Sequence, residues 1–237
     1  MPAHWDMPYN FHFRYLPRTE AQLEIIDHYI ILGQRCHHMP ELEIDLSAFS
    51  VVLLREVFHR PKIFRICNHH VQNCCLARRR LTGLGYSRIA AMFPRRFESA
   101  LGYEYMLGVD RFNRETANQP PIPTWQFDTW DTSAFTKWVN KEKIDVLVFN
   151  AHAVWETSLT FKTSTGESLC CANFNFPPCR GWSSGIYQNS DFIGETSMDF
   201  LPQLRISGER GTCLHPQIVL IDGTWVDGST QRQPTQH

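Results

Sequence analysis

The sequence predicts an α/β fold built from two lobes with mainly parallel sheets. Short apolar runs typical of buried strands alternate with segments of helical spacing, and polar residues follow the strands at their carboxyl ends. The pattern is clearest from residue 71 to residue 112, where a helix and a glycine turn precede the apolar run Ile89–Phe93. The residues that can share one face of that helix are Val71, Cys74, Ala77 and Leu81.

Five segments are predicted to be buried, mainly parallel strands, because each is short, apolar and bounded by polar or turn residues. In chain order they are Phe49–Leu54, Pro61–Cys67, Ser87–Phe93, Ile144–Phe149 and Ser168–Ala172. Shorter strands are predicted over Phe11–Leu16 and Pro123–Phe127. The run Gln34–Met39 is polar, which argues against a strand there.

Helices are predicted wherever apolar residues recur at helical spacing between these strands. They run from Thr19 to Gly33, through Val71 and Leu81, from Phe97 to Phe112, from Asp131 or Thr132 through Val139, from His152 to Leu159, and from Ser190 or Asp191 to Ser207. Pro202 lies inside the last helix and is expected to kink or split it. Near the C-terminus, Asp222-Gly223 joins two short apolar runs and favours a two-residue hairpin turn of type I′.

Composition is that of an ordinary globular protein. A chain of 237 residues can bury a sizeable core as one large domain or two lobes, and 43% hydrophobic and 20% charged residues are usual values. The net charge of −1 provides no basic surface, so we expect no DNA binding by this chain itself. Neither a signal-peptide pattern nor an apolar stretch approaching the ~20 residues of a membrane span occurs.

The eight cysteines include two adjacent pairs and no Cys-x-x-Cys motif. Because they lie within apolar helix and strand patterns, they are predicted to be buried thiols, which favours the reducing cytoplasm. The best candidate for a metal site is a group of five residues with zinc-type ligand atoms: Cys67, His69, His70, Cys74 and Cys75. Their spacing matches no standard zinc site, so the sequence predicts neither a metal nor another cofactor.

Two stretches resemble a known family. One is Leu81-x-x-Leu84-Gly85-Tyr86-x-Arg88-Ile89, followed by arginine and by Gly102-Tyr103. The other comprises Gly185-Ile-Tyr-Gln-Asn189, Ile193-Gly194, Arg210-Gly211 and Val219-Leu-Ile-Asp-Gly-Thr-Trp-Val-Asp-Gly228. In this order they resemble the effector-binding domain of LacI/GalR-type bacterial transcription regulators, from about Phe11 to Thr230.

That resemblance implies a type I periplasmic-binding-protein-like fold, with two Rossmann-like lobes and a ligand cleft between them. It also implies a form truncated at the N-terminus, without the helix-turn-helix domain of the family. The predicted lobes comprise residues 1–94 plus 180–215 and residues 95–179 plus 216–237. The chain is then expected to cross between lobes near Pro94, near Phe176–Gly185 and near Pro216.

Polar side chains that follow three of the predicted strands are the candidate ligand-binding residues. They are Arg95 and Arg96 after the first strand, Asn150 and His152 after the second, and Asn173 and Asn175 after the third. In two-lobed α/β proteins the carboxyl ends of strands line the cleft, where guanidinium and amide groups can bind hydroxyl or carboxylate groups. Which member of each pair faces the cleft stays open, and helix caps, loop turns or a solvated surface pair are the structural alternatives.

Binding rather than catalysis is predicted, because the chain has no GxxxxGK[ST], HExxH or GxGxxG motif. The resemblance implies the effector-binding and dimerisation domain of a regulator, with a small polar ligand, a sugar, as effector and a second copy of the chain as partner. Two alternatives share the fold class. One is a periplasmic-type solute-binding protein, and the other is an α/β enzyme acting on a small sugar.

Overall fold

The computed structural model describes residues 29–33, 45–54, 62–116, 121–150, 161–162, 166, 168–174 and 184–228. Several predicted elements lie outside these residues: the strand over residues 11–16, the helix start at residue 19, the polar run 34–39 and the helix over residues 152–159.

Two sheets organise the described chain. The first contains four parallel strands in the order β1-β2-β3-β9, and the second contains six in the order β10-β8-β7-β6-β4-β5. Every pairing in the second sheet is parallel except that of β10 with β8. The strands are β1 Tyr29–Gly33, β2 Ser50–Leu54, β3 Phe64–Asn68, β4 Ile89–Pro94, β5 Thr124–Phe127, β6 Val146–Phe149, β7 Cys170–Asn173, β8 Ser184–Tyr187, β9 Ile218–Ile221 and β10 Thr224–Val226. The five predicted parallel strands are thereby confirmed as β2, β3, β4, β6 and β7.

Within the described residues, five helices cover the sheets: α1 His70–Gly83, α2 Arg95–Ala100, α3 Glu104–Glu115, α4 Thr132–Glu142 and α5 Ser190–Ile206. Both faces of the six-stranded sheet are packed, which explains why its strands are continuously apolar. In β6, Val146 and Val148 belong to the core beneath α1 and α3, whereas Leu147 and Phe149 belong to the core beneath α4. Helix α5 packs on one face of the four-stranded sheet.

The described part of the chain crosses between the two sheets at three places, which we call the three crossings. They are residues 68–70 between β3 and α1, residues 188–189 between β8 and α5, and residues 222–223 between β9 and β10. These positions differ from the expected ones. Strand β4 ends at Pro94, but it pairs with β6 and β5 in the six-stranded sheet, so the chain has already crossed when β4 begins.

The predicted C-terminal hairpin is wrong, because β9 pairs with β3 in one sheet and β10 with β8 in the other. Asp222-Gly223 is therefore a crossing rather than a tight turn. Gly223 does not have the positive φ that a type I′ turn needs. It is required by close packing instead, since a Cβ there would lie 2.4 Å from Ile186 Cγ2 and 2.9 Å from the Tyr187 carbonyl oxygen.

Three predicted helices also differ in detail. Residues 29–33 form strand β1 rather than a helix end, and parallel pairing with β2 over five residues supplies the backbone hydrogen bonds. The helix expected from Phe97 to Phe112 is divided into α2 and α3, because Gly102 and Tyr103 have φ of 63° and 64°. Pro202 does not split α5. Met198, the residue whose carbonyl loses its helical partner at Pro202, is 60% exposed, so this position lies on the solvent side of the helix.

No helix in the described part of the chain combines the length and the apolar character that crossing a bilayer requires.

Candidate functional site

The carboxyl ends of three adjacent strands bring predicted site residues to one edge of the six-stranded sheet. Met92 in β4 pairs with Phe149 in β6, and Phe149 pairs with Asn173 in β7. This register places Arg95 and Arg96 at the start of α2, Asn150 directly after β6, and Asn173 at the end of β7, all at the same edge. The other two predicted residues, His152 and Asn175, lie outside the described chain.

Arg95 reaches sideways along this edge toward β5. Its Nη1 donates to Gln126 Oε1 at 3.1 Å, and its Nε donates to Asp128 Oδ2 at 3.4 Å. The Arg95 side chain is 53% exposed and that of Asp128 is 73% exposed, so this pair adds little stability. These two bonds use two of the five guanidinium N–H groups, which leaves donors for a ligand.

An aromatic cluster surrounds the segment that follows β5. Trp130 follows β5 and is half-buried, with its ring centroid 5.6 Å from that of Phe127 and 5.1 Å from that of Phe135. Trp130 follows Asp128, the partner of Arg95, by two residues in the chain.

Asn150 contacts the buried centre of the edge. Its Nδ2 donates to the hydroxyl of Tyr105 at 3.3 Å. Tyr105, in the first turn of α3, is wholly buried, and its ring lies 4.5 Å from that of His70 and 4.9 Å from that of Phe174. Helical spacing alone predicts Tyr105 as a core residue, and its hydroxyl group adds a polar contact to that core.

Gln188 extends this contact to the other sheet. Its Nε2 donates to the Tyr105 hydroxyl at 3.0 Å and to the Phe174 carbonyl at 2.8 Å. Its Oε1 accepts from Asn68 Nδ2 at 2.9 Å. Since Asn68 is the last residue of β3, the carboxyl edges of the two sheets face each other here. Sequence reasoning missed Asn68 and Gln188, and their only local signal is a polar residue at a strand end.

Further hydrogen bonds tie the three crossings together. His69 Nδ1 lies 2.7 Å from Asp222 Oδ1, joining the first and third crossings. Asn189 Nδ2 donates to the Asp222 carbonyl at 2.8 Å, joining the second and third. The Gly223 N–H donates to Asn73 Oδ1 at 2.7 Å, which anchors the third crossing on α1. The crossings therefore form one hydrogen-bonded unit between the sheets.

The residues with zinc-type ligand atoms are not arranged as a metal site. Cys67, Cys74 and Cys75 are buried, and desolvation is the main cause that raises the pKa of the Cys74 and Cys75 thiols. A raised pKa favours the neutral thiol over the thiolate that binds metals. Among the residues that the structure describes, no three His, Cys, Asp or Glu side chains are grouped as metal ligands.

Glu98 is a wholly buried carboxyl group beside the site. It lies in α2, and its Oε2 accepts from the N–H of Met106 at 3.0 Å. That N–H belongs to the first turn of α3, whose preceding residue Tyr103 makes no side-chain cap bond, so Glu98 acts as the cap from a neighbouring helix. Desolvation by burial raises the pKa of Glu98 to about 7, against the lowering effect of the Met106 hydrogen bond.

Comparison of the sequence with protein-family models and with curated proteins finds no match. Solved structures match in fold. A periplasmic binding protein/LacI transcriptional regulator from Alkaliphilus metalliredigens, complexed with D-xylulofuranose, has a TM-score of 0.58 and 16% identity over 90% of this chain and 82% of that chain. A putative transcription regulator from Staphylococcus saprophyticus has a TM-score of 0.61 and 12% identity over 89% and 83%. A LacI family transcriptional regulator from Enterococcus faecium with bound ribose has a TM-score of 0.56 and 12% identity over 79% and 71%.

At these identities the likeness shows the fold. The chain has an α/β fold with mostly parallel sheets, of the type I periplasmic-binding-protein-like class that also occurs in LacI-type effector domains. This confirms the fold class predicted from the sequence.

Proposed function

We propose that this chain binds a small polar ligand, a sugar or sugar derivative, between the facing carboxyl edges of its two sheets. In this proposal each sheet with its helices forms one lobe, and the chain is the effector-binding and dimerisation part of a LacI/GalR-type transcription regulator. The observation that carries the proposal is the convergence of Arg95, Asn150 and Asn173 at one strand edge, opposite the end of β3. Solved proteins of the same fold contain D-xylulofuranose and ribose.

The chemistry of this edge suits a polyhydroxy compound. A guanidinium group supplies several donors in a fixed plane, and an amide supplies both a donor and an acceptor. We add Trp130, two residues after Asp128 in the chain, as a source of apolar ring surface for this ligand. We assign ligand contacts to Arg95 or Arg96, to Asn150 or His152, and to Asn173 or Asn175. We assign no catalytic residue, metal or cofactor.

The remaining parts of the proposal concern partners. We propose a homodimer as the working form and the cytoplasm as its location. The net charge of −1 supports a chain that makes no DNA contacts of its own. Ligand binding between the lobes would shift their relative orientation, and this shift is what an attached DNA-binding domain would sense.

A thermal-shift screen tests the proposed ligand class. At about 100 times its dissociation constant, a ligand specific for the folded state adds about 2.7 kcal/mol to the free energy of unfolding. For a chain of this size that raises Tm by roughly 5 to 10 °C. We expect a shift of this size from at least one member of a panel of pentoses, hexoses and cellobiose, each at low millimolar concentration.

The L-enantiomer of each sugar is the matched control. Sugars excluded from the protein surface raise Tm without binding, and that effect is the same for both enantiomers. A panel in which no D-sugar raises Tm more than its enantiomer would count against a sugar as the ligand.

A further inference from the structure

We propose that Gln188 is a positioning residue that couples the candidate ligand-binding edge to the three crossings. It does so through what we call the amide relay, the hydrogen-bonded series Asn150, Tyr105, Gln188 and Asn68. The inference rests on the proposed function, because it describes how occupancy of that site would reach the junction between the sheets. Its links measure 3.3, 3.0 and 2.9 Å in this order.

The orientations of the Gln188 and Asn68 amides in the relay are fixed by one backbone group. The carbonyl of Phe174 can only accept, so the atom of Gln188 that lies 2.8 Å from it is the nitrogen. The Gln188 oxygen then faces Asn68, which must present its own nitrogen. A flipped Gln188 amide would lose the bond to Phe174, so Gln188 and Asn68 have one arrangement of donors and acceptors.

The relay residues are buried, so a hydrogen bond lost within the relay is not readily replaced by one to water. Tyr105 is 0% exposed, Asn68 is 4% exposed and Gln188 is 5% exposed. A donor that loses its acceptor at such a position has little access to water, so the full desolvation penalty applies. Loss or displacement of the Tyr105 hydroxyl is therefore felt by Gln188 rather than absorbed by solvent.

The relay joins the candidate ligand-binding edge to the crossings. Asn150 is only partly buried and lies at the candidate ligand-binding edge, and its link to Tyr105 is the longest of the three. A ligand that engages the Asn150 amide competes with this link. Gln188 lies at the second crossing and Asn68 at the first, so the altered hydrogen bonding reaches the crossings directly.

Hydrogen–deuterium exchange of the full chain without ligand tests the relay. Two variants break it: Tyr105→Phe removes the shared hydroxyl and keeps the stacked ring, and Gln188→Met removes the amide with little change in shape. The reporters are two backbone N–H groups at the crossings, that of His69, which donates to the Ile221 carbonyl, and that of Gly223. We expect both variants to exchange these amides about fivefold faster or more, the effect of losing roughly one hydrogen bond.

Two controls separate this effect from general loosening. Tyr103→Phe makes the same change two residues away, on a side chain that is 49% exposed and outside the relay, and should leave the crossing amides within about twofold of the wild type. Strand β6 is the internal reference, and its amides should be unchanged in all variants.

Unchanged exchange at the crossings in Tyr105→Phe would overturn the proposal, even if Gln188→Met were faster, because Gln188 would then hold the crossings without any link to Asn150. Equal acceleration at β6 and at the crossings would overturn it too. The experiment uses no sugar, so its result is independent of the thermal-shift screen that tests the proposed function.

Discussion

Replacement of Gly185 by alanine is expected to destabilise the protein by about 3 kcal/mol, a large part of the stability of an ordinary domain. Gly185 in β8 pairs with Asn173 in β7. A Cβ at Gly185 would lie 2.1 Å from the Asn173 carbonyl oxygen and 2.9 Å from its nitrogen. Both are backbone atoms, so relief requires the two strands to separate at the end that carries the candidate site.

Urea denaturation measures this effect, and Gly194→Ala is its matched control. Gly194 lies inside α5, and apart from its chain neighbours and the backbone of its own helix, no atom lies within 4 Å of a Cβ added there. There alanine should stabilise the protein by about 0.5 to 1 kcal/mol through helix propensity. If Gly185→Ala unfolds at the wild-type urea concentration, the close approach of β7 and β8 is wrong.

The second large effect concerns pH and Glu98. Its pKa is raised from 4.5 to about 7 in the folded protein. Between these values the folded state binds more protons than the unfolded state, so the contribution of Glu98 to stability falls as pH rises. It is complete below about pH 4.5 and lost above about pH 7, where the buried charge costs about 3 kcal/mol relative to the unfolded chain.

Glu98→Gln removes this pH dependence. The amide cannot ionise, and its oxygen can still accept from the Met106 N–H that caps α3. We expect the variant to be more stable than the wild type at pH 8 and to lose that advantage toward pH 5, as measured by urea denaturation across this interval. Glu195→Gln, at an exposed position of α5, should change stability by less than about 0.5 kcal/mol. A difference between Glu98→Gln and the wild type that stays constant from pH 5 to pH 8 would contradict the burial of this carboxylate.

The strands could be predicted because their burial on both faces requires apolar residues, which are visible in the sequence of each strand. Both faces of the six-stranded sheet are covered, so a segment such as Val146–Phe149 must be apolar at every position. The sequences of the crossings do not show by themselves that the chain passes from one sheet to the other. Asp222-Gly223 has the local signature of a hairpin, and only pairing with strands far away in the chain shows that β9 and β10 belong to different sheets.

The candidate site divides in the same way. Arg95, Asn150 and Asn173 were predictable, because parallel strands place their carboxyl ends at one edge whatever the details of packing. Asn68 and Gln188 were not, because their roles depend on contact with each other across 120 residues of chain. For Tyr105, only part of its role could be predicted. Helical spacing predicts a core residue, but it cannot show that the hydroxyl accepts hydrogen bonds from two amides.

Calorimetric titration of Arg95→Ala tests the central claim, that a polar ligand binds at the strand edge, most directly. The titrant is the sugar with the largest enantiomer-specific Tm shift, and Arg111→Ala is the control, since Arg111 is 51% exposed and pairs with Glu115 on the outside of α3. Loss of a charged hydrogen-bond donor to a bound ligand costs roughly 1.5 to 3 kcal/mol, so we expect the dissociation constant to rise tenfold or more in Arg95→Ala. The control should bind as the wild type does. A folded Arg95→Ala protein that binds this sugar within about twofold of the wild type would contradict the claim that Arg95 belongs to the ligand site.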